Sequence, residues 1–375
     1  MLSSANNVLI ACAGSGKTTR LVNDALVDRT KRIAIVTYTN NNAREIKARF
    51  GEVNSGVPSH VEIMSWFSFL LRECVRPYQC VKYPDQRIES LNFVNQRSAQ
   101  YVKASDTKRY YFSGGKYIYS DKISQFVVEC NKASNGALVS RLKQIYTDIY
   151  IDEFQDLAGW DFEVVEMLLR SDIRVTMVGD PRQHIYTTNP GAKNKQFLGA
   201  NVIQLVSKWV EAGLCAMTMM NHTYRCNSDI CAFSNGMWEE YQPMVAKQEY
   251  LDDHQGVFLV APSLVHDYIQ EYQPQFLRHD IGANTYGFDA MNFGASKGLE
   301  FAHVLIVPTG PIKKYLETGD VKHIEKSKIK LHVAVTRAKL SVAFIHDGPS
   351  PLIAQRWHGK HVSLTKSVTP DEAPA

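Results

Sequence analysis

Two carboxylates at the end of a short apolar run are the first candidates for chemistry. Residues 148–151 (DIYI) have the pattern of a buried strand, and Asp152 and Glu153 follow at its carboxyl end. Asp152 can hold a magnesium ion through its water shell, and Glu153 can orient and deprotonate an attacking water. Because acidic strand ends are common, ATP hydrolysis is indicated only if other segments supply a phosphate-binding loop, a γ-phosphate sensor and arginines.

Residues 11–18 (ACAGSGKT) have the composition of a phosphate-binding loop between a predicted strand at 8–12 and a predicted helix at 19–29. The glycines let backbone N–H groups turn toward phosphates, the lysine reaches the β- and γ-phosphates, and the threonine ligates magnesium. A simple glycine-rich turn is the alternative, which the flanking strand and helix disfavour. The predicted ATP-binding residues of this loop are Ala13, Gly14, Ser15, Gly16, Lys17, Thr18 and Thr19, and the predicted metal ligands are Thr18 and Asp152.

A polar residue after the next buried strand, at 174–179, can report the state of the nucleotide. That strand runs into GDPRQHIY (179–186), in which Gln183 can hydrogen-bond the γ-phosphate or the attacking water. Tyr186 can stack on a base or pack in the core, and the sequence leaves both open.

Hydroxyl, amide and aromatic side chains follow a predicted strand at 33–37. Tyr38, Thr39 and Asn40 suit contacts to a nucleic-acid backbone and a stacked base; an asparagine-rich helix cap is the structural alternative. Farther along, residues from about 75 to 140 carry prolines, a Gly-Gly pair and basic-aromatic runs. They predict a small, mainly helical inserted subdomain that fits either a single-stranded nucleic acid or an amphipathic packing surface.

Length and composition indicate an ordinary globular protein of two to three domains. The 375 residues are 45% apolar and 21% charged, and the net charge of +4 permits nucleic-acid binding without arguing for it. No apolar run reaches membrane-spanning length, and no signal peptide is recognised. Seven cysteines without a Cys-x-x-Cys pair predict a reduced, cytoplasmic protein with no zinc site.

Alternating strands and helices must position these side chains. Up to about residue 200 the alternation predicts a parallel sheet with the nucleotide at its carboxyl edge. The second half has no phosphate loop, but it carries Arg225 and Arg337, which can reach a nucleotide held by the first half. We therefore predict an α/β protein with an N-terminal domain at 1–200, a C-terminal domain at 201–363 and a flexible tail at 364–375.

Seven segments that span nearly the whole chain, residues 11 to 339, resemble in type and order those of superfamily 1 helicases of the UvrD/Rep/PcrA kind. They are AGSGKTT (13–19), TYTNNNA (37–43), DEFQD (152–156), GDPRQHIY (179–186), TYRC (223–226), SKGLEF (296–301) and VAVTRAK (333–339).

The resemblance implies two RecA-like P-loop NTPase domains with ATP and Mg²⁺ in the cleft between them. It makes Lys17 a phosphate ligand, Glu153 the general base and Gln183 the γ-phosphate sensor. Arg225 and Arg337 are then arginine fingers that act when the cleft closes. The resemblance also implies that Tyr224 stacks on adenine and Glu300 contacts the ribose, and that single-stranded DNA lies along Tyr38, Thr39, Asn40 and the segment around Trp66.

Several positions depart from the pattern of that family. No glutamine precedes the phosphate loop, residues 187–192 (TTNPGA) replace a Trp-Arg-Gly-Ala-like run, and Thr223 and Gly294 stand where the family has Asn and His. Residues 226–296 leave no room for the large accessory subdomain of full-length relatives. The chain is therefore a compact form, similar to the helicase subunits that accompany nucleases in bacterial anti-phage systems such as Gabija.

Two classes of function fit these observations. The first is an ATP-dependent translocase or helicase on single-stranded or partly duplex DNA, with 3′ to 5′ polarity as in the family and a nuclease subunit as partner. The alternative is a DNA- and nucleotide-sensing ATPase subunit that regulates a partner nuclease without processive unwinding. A phosphotransferase is disfavoured, because a kinase needs no arginines from a second domain.

Overall fold

Two six-stranded parallel sheets form the frame of the described residues, which are 6–185, 188, 193–250 and 252–359 of a computed structural model. The strands in chain order are β1 (Asn7–Ala11), β2 (Ile33–Thr37), β3 (Val61–Ser65), β4 (Ser90–Asn92), β5 (Phe112–Ser113), β6 (Tyr117–Tyr119), β7 (Asp148–Asp152), β8 (Arg174–Gly179), β9 (Ala216–Met220), β10 (His222–Thr223), β11 (Val245–Ala246), β12 (Gly256–Val260), β13 (Gln275–Arg278), β14 (Met291–Asn292), β15 (Phe301–Val307), β16 (Ala338–Ile345) and β17 (Gln355–Trp357). The α-helices are α1 (Lys17–Val27), α2 (Asn40–Asn54), α3 (Trp66–Phe69), α4 (Arg76–Tyr78), α5 (Thr107–Tyr111), α6 (Ile123–Ala133), α7 (Ala137–Ile145), α8 (Asp161–Leu169), α9 (Val202–Glu211), α10 (Ser228–Asn235), α11 (Val265–Tyr272), α12 (Gly310–Thr318) and α13 (Lys328–Val335).

The first sheet has the strand order β3-β2-β7-β8-β1-β9. Successive side chains of β1 enter opposite layers: Val8 and Ile10 pack with α6 to α9, while Leu9 and Ala11 pack with α1 and α2. A parallel sheet covered on both faces buries nearly every strand position. This double burial explains why these strands are short, almost unbroken apolar runs.

The second sheet has the order β14-β13-β15-β16-β12-β17, also with parallel neighbours. Helices α10, α12 and α13 cover one face, and α11 covers the other. Cys12 and Ala13 of the phosphate loop are buried in the cluster that includes α10 and α13. The loop that follows β1 therefore packs directly against the second half of the molecule.

The division between the sheets differs from the predicted boundary at 200/201. Strand β9 pairs with β1 along its whole length, from Asn7 with Ala216 to Ala11 with Met220, and α9 packs in the core of the first sheet. Residues 202–220 therefore belong to the first sheet and its helical layer. The short strand β9 forms the edge of the first sheet by pairing with β1, which is far from it in sequence. The local alternation of strands and helices does not reveal this pairing.

The predicted insertion contains helices and also a small sheet of its own, in the order β4-β6-β5. Helices α6 and α7 pack into the core of the first sheet. A π-helical stretch, Leu70–Val75, separates α3 from α4. The predicted tail at 364–375 lies outside the described residues. Every helix within those residues falls short of the length and apolar content that a membrane crossing needs.

Candidate nucleotide-binding site

The phosphate loop connects β1 to α1 through two glycines in the left-handed region. Gly14 has φ +69° and Gly16 has φ +77°, and no side chain among the described residues caps the first turn of α1. The Ser15 hydroxyl is buried, and it has no hydrogen-bond partner among those residues. A loop with inward-facing donors at a helix N-terminus is suited to a phosphate group.

The two acids predicted to be catalytic stand where β7 ends, one strand away from β8 and two from β1. The Glu153 backbone N–H donates to Oδ1 of Asp152 (3.0 Å), and Glu153 itself has a left-handed backbone, with φ +56°. A non-glycine residue held in this conformation costs free energy and is characteristic of functional sites. The end of β7 therefore places two buried carboxylates next to each other at the edge of the sheet.

Two lysines from different halves of the molecule neutralise Glu153. The Lys17 Nζ lies 2.5 Å from Oε1, and the Lys297 Nζ lies 3.2 Å from Oε2 and 2.8 Å from Oδ2 of Asp156. Burial opposes the charge of Glu153, but the two ammonium groups outweigh it and hold its pKa below the usual range. Glu153 is thus ionised at neutral pH, as a general base must be.

The neighbouring carboxyls show the opposite shift. Burial, followed by the charge of Glu153, raises the pKa of Asp152 to about 7. Burial also raises the pKa of Asp156 to about 7 against the opposing effect of Lys297. Three acids packed together in a low-dielectric site cannot all ionise without cations, and a divalent ion is one way to supply the missing charge.

Gln183 connects the two halves of the site. Its Oε1 accepts from Nη2 of Arg337 (3.1 Å), while its Nε2 donates to Oδ2 of Asp180 (2.8 Å). Arg337 is only 1% exposed, and burial, followed by the charge of Arg225, lowers its pKa to about 9. The guanidinium therefore remains charged at neutral pH and touches the predicted sensor directly.

The second predicted arginine finger lies against the phosphate loop. The Tyr224 N–H donates to the Gly14 carbonyl (2.9 Å), and a Cβ at position 14 would lie 2.5 Å from Cβ of Arg225. Only glycine permits this approach. Arg225 donates from Nε (2.9 Å) and Nη2 (2.7 Å) to Oε1 of Glu300 and from Nη1 to the Thr336 carbonyl (3.1 Å).

These side chains line one cavity of about 220 Å³ between the two sheets. Tyr224 is 60% exposed and forms part of its wall. Glu300 also lines it, but this carboxylate is already bonded to Arg225 and Lys339. Ala13 does not line the cavity, because its side chain is buried against the second half. The predicted residues that the cavity brings together are Gly14, Ser15, Gly16, Lys17, Thr18, Thr19, Asp152, Glu153, Gln183, Tyr224, Arg225, Glu300 and Arg337.

The family model of the UvrD/REP helicase N-terminal domain matches residues 2–95 and 94–202, which is more than half of the chain. The chain belongs to the UvrD/REP helicase family. Its similarity to the Gabija protein GajB of Bacillus cereus (strain VD045) is 28% identity over 280 residues, covering 70% of this chain and 52% of that protein. The chain thus spans about half the length of this curated relative.

Solved structures give a weaker likeness. The crystal structure of Arterivirus nonstructural protein 10, a helicase, superposes with a TM-score of 0.47 at 12% identity, covering 92% of this chain and 60% of that one. The complex of the same protein with DNA gives a TM-score of 0.46 at 14% identity, covering 92% and 61%.

The residues of this UvrD/REP-family chain that were predicted to contact DNA separate into three groups. Tyr38, Thr39 and Asn40 line a second, larger groove of about 960 Å³ beside the inserted subdomain. Trp66 does not line it: its ring is 1% exposed, and its Nε1 donates to Asp161 (2.9 Å). The prediction that Trp66 itself contacts DNA is therefore corrected, because its side chain is buried in the core. Tyr186 lies outside the described residues.

Sequence reasoning missed three charged residues of the cavity. Lys297 lies in the quoted segment 296–301, and its charge was a usable signal, although no role was assigned to it. Glu45 and Arg49 line the cavity from α2. In sequence they look like the solvated face of a helix, so no local signal distinguishes them.

Proposed function

We propose that this chain is an ATP-dependent translocase or helicase on single-stranded or partly duplex DNA. The observation that carries the proposal is the convergence of five side chains in one cleft. Lys17, Glu153 and Gln183 follow strands of the first sheet, whereas Arg225 and Arg337 belong to the second half of the chain. Cations supplied across a domain boundary make hydrolysis dependent on cleft closure, which is how a motor ties chemistry to movement.

The donor set fits a nucleotide with a divalent cation. The Ser15 hydroxyl, which has no partner among the described residues, and the uncapped start of α1 offer donors to phosphate. The buried carboxyl of Asp152 and the side chain of Thr18 both line the cavity. Thr18 and Asp152 would hold Mg²⁺. When bound, the ion would neutralise charge on the transferring phosphoryl group.

Nucleotide binding must first rearrange the ion pairs of the cavity. Lys17 is bonded to Glu153, so it has to leave that carboxylate to reach a phosphate oxygen. Lys297 stays beside Glu153 and Asp156, and it keeps the base ionised after Lys17 has moved. Glu153 can then orient a water and accept its proton, while the Gln183–Arg337 hydrogen bond reports the phosphate state to the second half.

At the nucleoside end, Tyr224 offers a half-exposed ring for a base. Glu300 can bond a ribose hydroxyl only by sharing or releasing Arg225, since both Nε and Nη2 of that arginine donate to it. Binding of the ribose would thereby free Arg225 to meet the phosphates. In this way the binding of the nucleoside would be coupled to the position of the Arg225 guanidinium.

The partners follow from the groove and the relatives. Tyr38, Thr39 and Asn40 place a ring, a hydroxyl and an amide along this groove. The Thr39 hydroxyl also caps α2 and donates to Oδ1 of Asn42 (2.8 Å). The polarity, 3′ to 5′, rests on the family resemblance. The proposal that the protein acts together with a nuclease in anti-phage defence rests on the resemblance to Gabija-type subunits and on the similarity to a Gabija protein.

A second candidate is a nucleotide- and DNA-sensing ATPase that regulates a nuclease without processive unwinding. The observation that favours it is the short segment between Arg225 and Lys297. Its described residues form α10, β11, β12, α11, β13 and β14 of the compact fold and leave no room for a further subdomain.

Steady-state ATPase activity of the purified chain, with and without single-stranded DNA, tests the proposal. Strong stimulation, absent in Lys17→Ala, is the expected result, and strand displacement is then measured on a tailed duplex. Turnover that DNA does not stimulate would favour the sensing subunit. No turnover at all in the wild type, with or without DNA, would contradict both candidates.

A further inference from the structure

The groove beside the inserted subdomain contains an aromatic ring that the sequence motifs do not include. Phe93 follows β4 of the small sheet, lines the groove and is 69% exposed. Exposed phenylalanines are common singly. This one differs because it faces a concave surface shared with Tyr38 and Asn40.

The ring is in contact with an aromatic neighbour, and the backbone before and after it is anchored. Its partner is Phe67 of α3, in an edge-to-face pair with a centroid distance of 5.4 Å and an interplanar angle of 89°. The backbone on either side is anchored to one residue: the Asn92 carbonyl accepts from the Ser120 N–H (2.9 Å), and the Val94 N–H donates to Oγ of Ser120 (3.1 Å). An aromatic face presented on a fixed backbone loses little entropy when a flat ligand binds.

The charge of the groove favours a polyanion. Its described lining includes Arg72 and Arg76 and no carboxylate. Arg72 is paired with Glu62 (2.6 Å) and Glu73 (3.5 Å). The positive charge of the groove therefore comes mainly from Arg76. Arg76 donates to the carbonyl oxygens of Ile88 (3.4 Å) and Glu89, and bonds to neutral carbonyls leave its positive charge available. A groove with an anchored ring, hydroxyls and the positive charge of Arg76 has the ingredients with which proteins bind single strands.

We propose that Phe93 is a base-stacking platform for single-stranded DNA, supplied by the inserted subdomain. The assignment rests on the proposed function, because it names the residue that would hold a base in the groove. Trp66 is not available for this role. That ring belongs to the core beneath the groove, bonded to Asp161, and Phe93 is the ring that remains available to a base.

The test is the affinity of Phe93 variants for a fluorescent oligothymidylate, measured by anisotropy at one fixed salt concentration. Phe93→Ala is expected to raise Kd about tenfold, since stacking on one ring contributes on that scale. Phe93→Leu keeps an apolar side chain without a ring and should lose as much, whereas Phe93→Trp should keep the affinity. Tyr101→Ala is the matched control, an exposed ring of the same insertion outside the groove.

A second probe separates stacking from other contacts. On a strand of the same length in which the bases are replaced by abasic sites, Phe93→Ala and the wild type should bind equally. If Phe93→Ala binds oligothymidylate as tightly as the wild type, Phe93 is not a stacking platform, while the proposed function stands. If the wild type itself binds neither strand, the DNA-binding part of the proposed function fails, and this inference fails with it.

Discussion

The candidate nucleotide cleft and the candidate DNA groove lie along the carboxyl edge of the same sheet but are built in opposite ways. The cleft is small, about 220 Å³, and its buried charges are bonded to one another, as in the pairs Lys17–Glu153 and Arg225–Glu300. The groove is larger, about 960 Å³, and its described lining contains two arginines, no carboxylate and an exposed ring. A ligand that enters the cleft must therefore displace ion pairs, whereas a ligand in the groove meets exposed side chains.

Strand order explains the difference. The neighbouring strands β7, β8 and β1 lead into the catalytic acids, the sensor and the phosphate loop, at the point where the second half covers the sheet edge. Strands β2 and β3 lie to one side, where the inserted subdomain approaches, and lead into the groove residues. The proposed chemistry would thus lie at the centre of the edge, among buried charges that interact strongly. The proposed strand binding would lie at its more exposed flank.

The largest expected effect is the loss of ATP turnover when Arg337 in the cleft is replaced. Arg337→Ala should lower kcat by about 10³-fold or more, because the variant loses the cation that touches the sensor, while nucleotide affinity changes little. Arg337 also donates to the Val333 and Leu299 carbonyls, so thermal melting must accompany the assay. Arg337→Lys keeps a charge without the planar fork and should restore stability better than turnover. Equal losses in kcat and nucleotide affinity would remove Arg337 from the finger role.

Glu153→Gln should lower kcat by roughly 10²- to 10⁴-fold, as expected for loss of a general base. Nucleotide affinity should be kept or increase, because Lys17 no longer has to leave a carboxylate. Equilibrium binding of a fluorescent ATP analogue and single-turnover hydrolysis measure the two effects. The control is Glu211→Gln, which changes an exposed glutamate at the end of α9, outside the cavity lining. Wild-type turnover in Glu153→Gln would contradict the assignment.

The two regions should also respond differently to pH. The pKa values of Asp152 and Asp156 are raised from 3.8 to about 7, so the folded state binds protons more tightly than the unfolded state. The nucleotide-free protein should therefore lose stability as pH rises from about 4 to 7, by on the order of 1 kcal/mol per pH unit for each carboxyl. Urea unfolding across this range measures the slope, and Asp156→Asn should make it shallower.

The groove provides the contrast in the same pH range. Its described lining contains no Asp, Glu, His or Cys side chain, so affinity for single-stranded DNA should stay nearly constant between about pH 6 and 8. Anisotropy titrations across this range measure it. A clear rise in affinity on acidification would mean that a titrating group outside the described lining contacts the strand.

Among the substitutions, the smallest effect is expected in the groove. Arg76→Gln should weaken DNA binding severalfold and lower the slope of log K against log salt by about 0.7, the contribution of one phosphate contact on a single strand. Arg109→Gln, an exposed arginine of the insertion outside the groove, is the matched control. An unchanged slope in Arg76→Gln would show that its positive charge is not used on phosphate.

Sequence reasoning located the candidate residues correctly in the fold where one short segment carries both a strand and the residue that follows it. The phosphate loop, the two acids and Gln183 each follow directly on an apolar strand, and parallel strands bring their ends to one edge. It failed where packing decided the outcome. The resemblance places Trp66 along DNA, but Asp161, distant in sequence, accepts its N–H and its ring is buried in the core. Strand β9 and Lys297 acquire their places only through partners far along the chain.

The amino-acid order by itself determined the fold class, the phosphate loop and the series of family segments, because these depend on local strand, turn and helix patterns. Only the tertiary structure decided that Lys17 rests on Glu153, that Arg337 bonds Gln183, and that Phe93 rather than Trp66 faces the groove. These facts depend on long-range contacts between segments whose own patterns are equally compatible with other neighbours. Burial and charge pairing therefore settle which of the candidate side chains a ligand can reach.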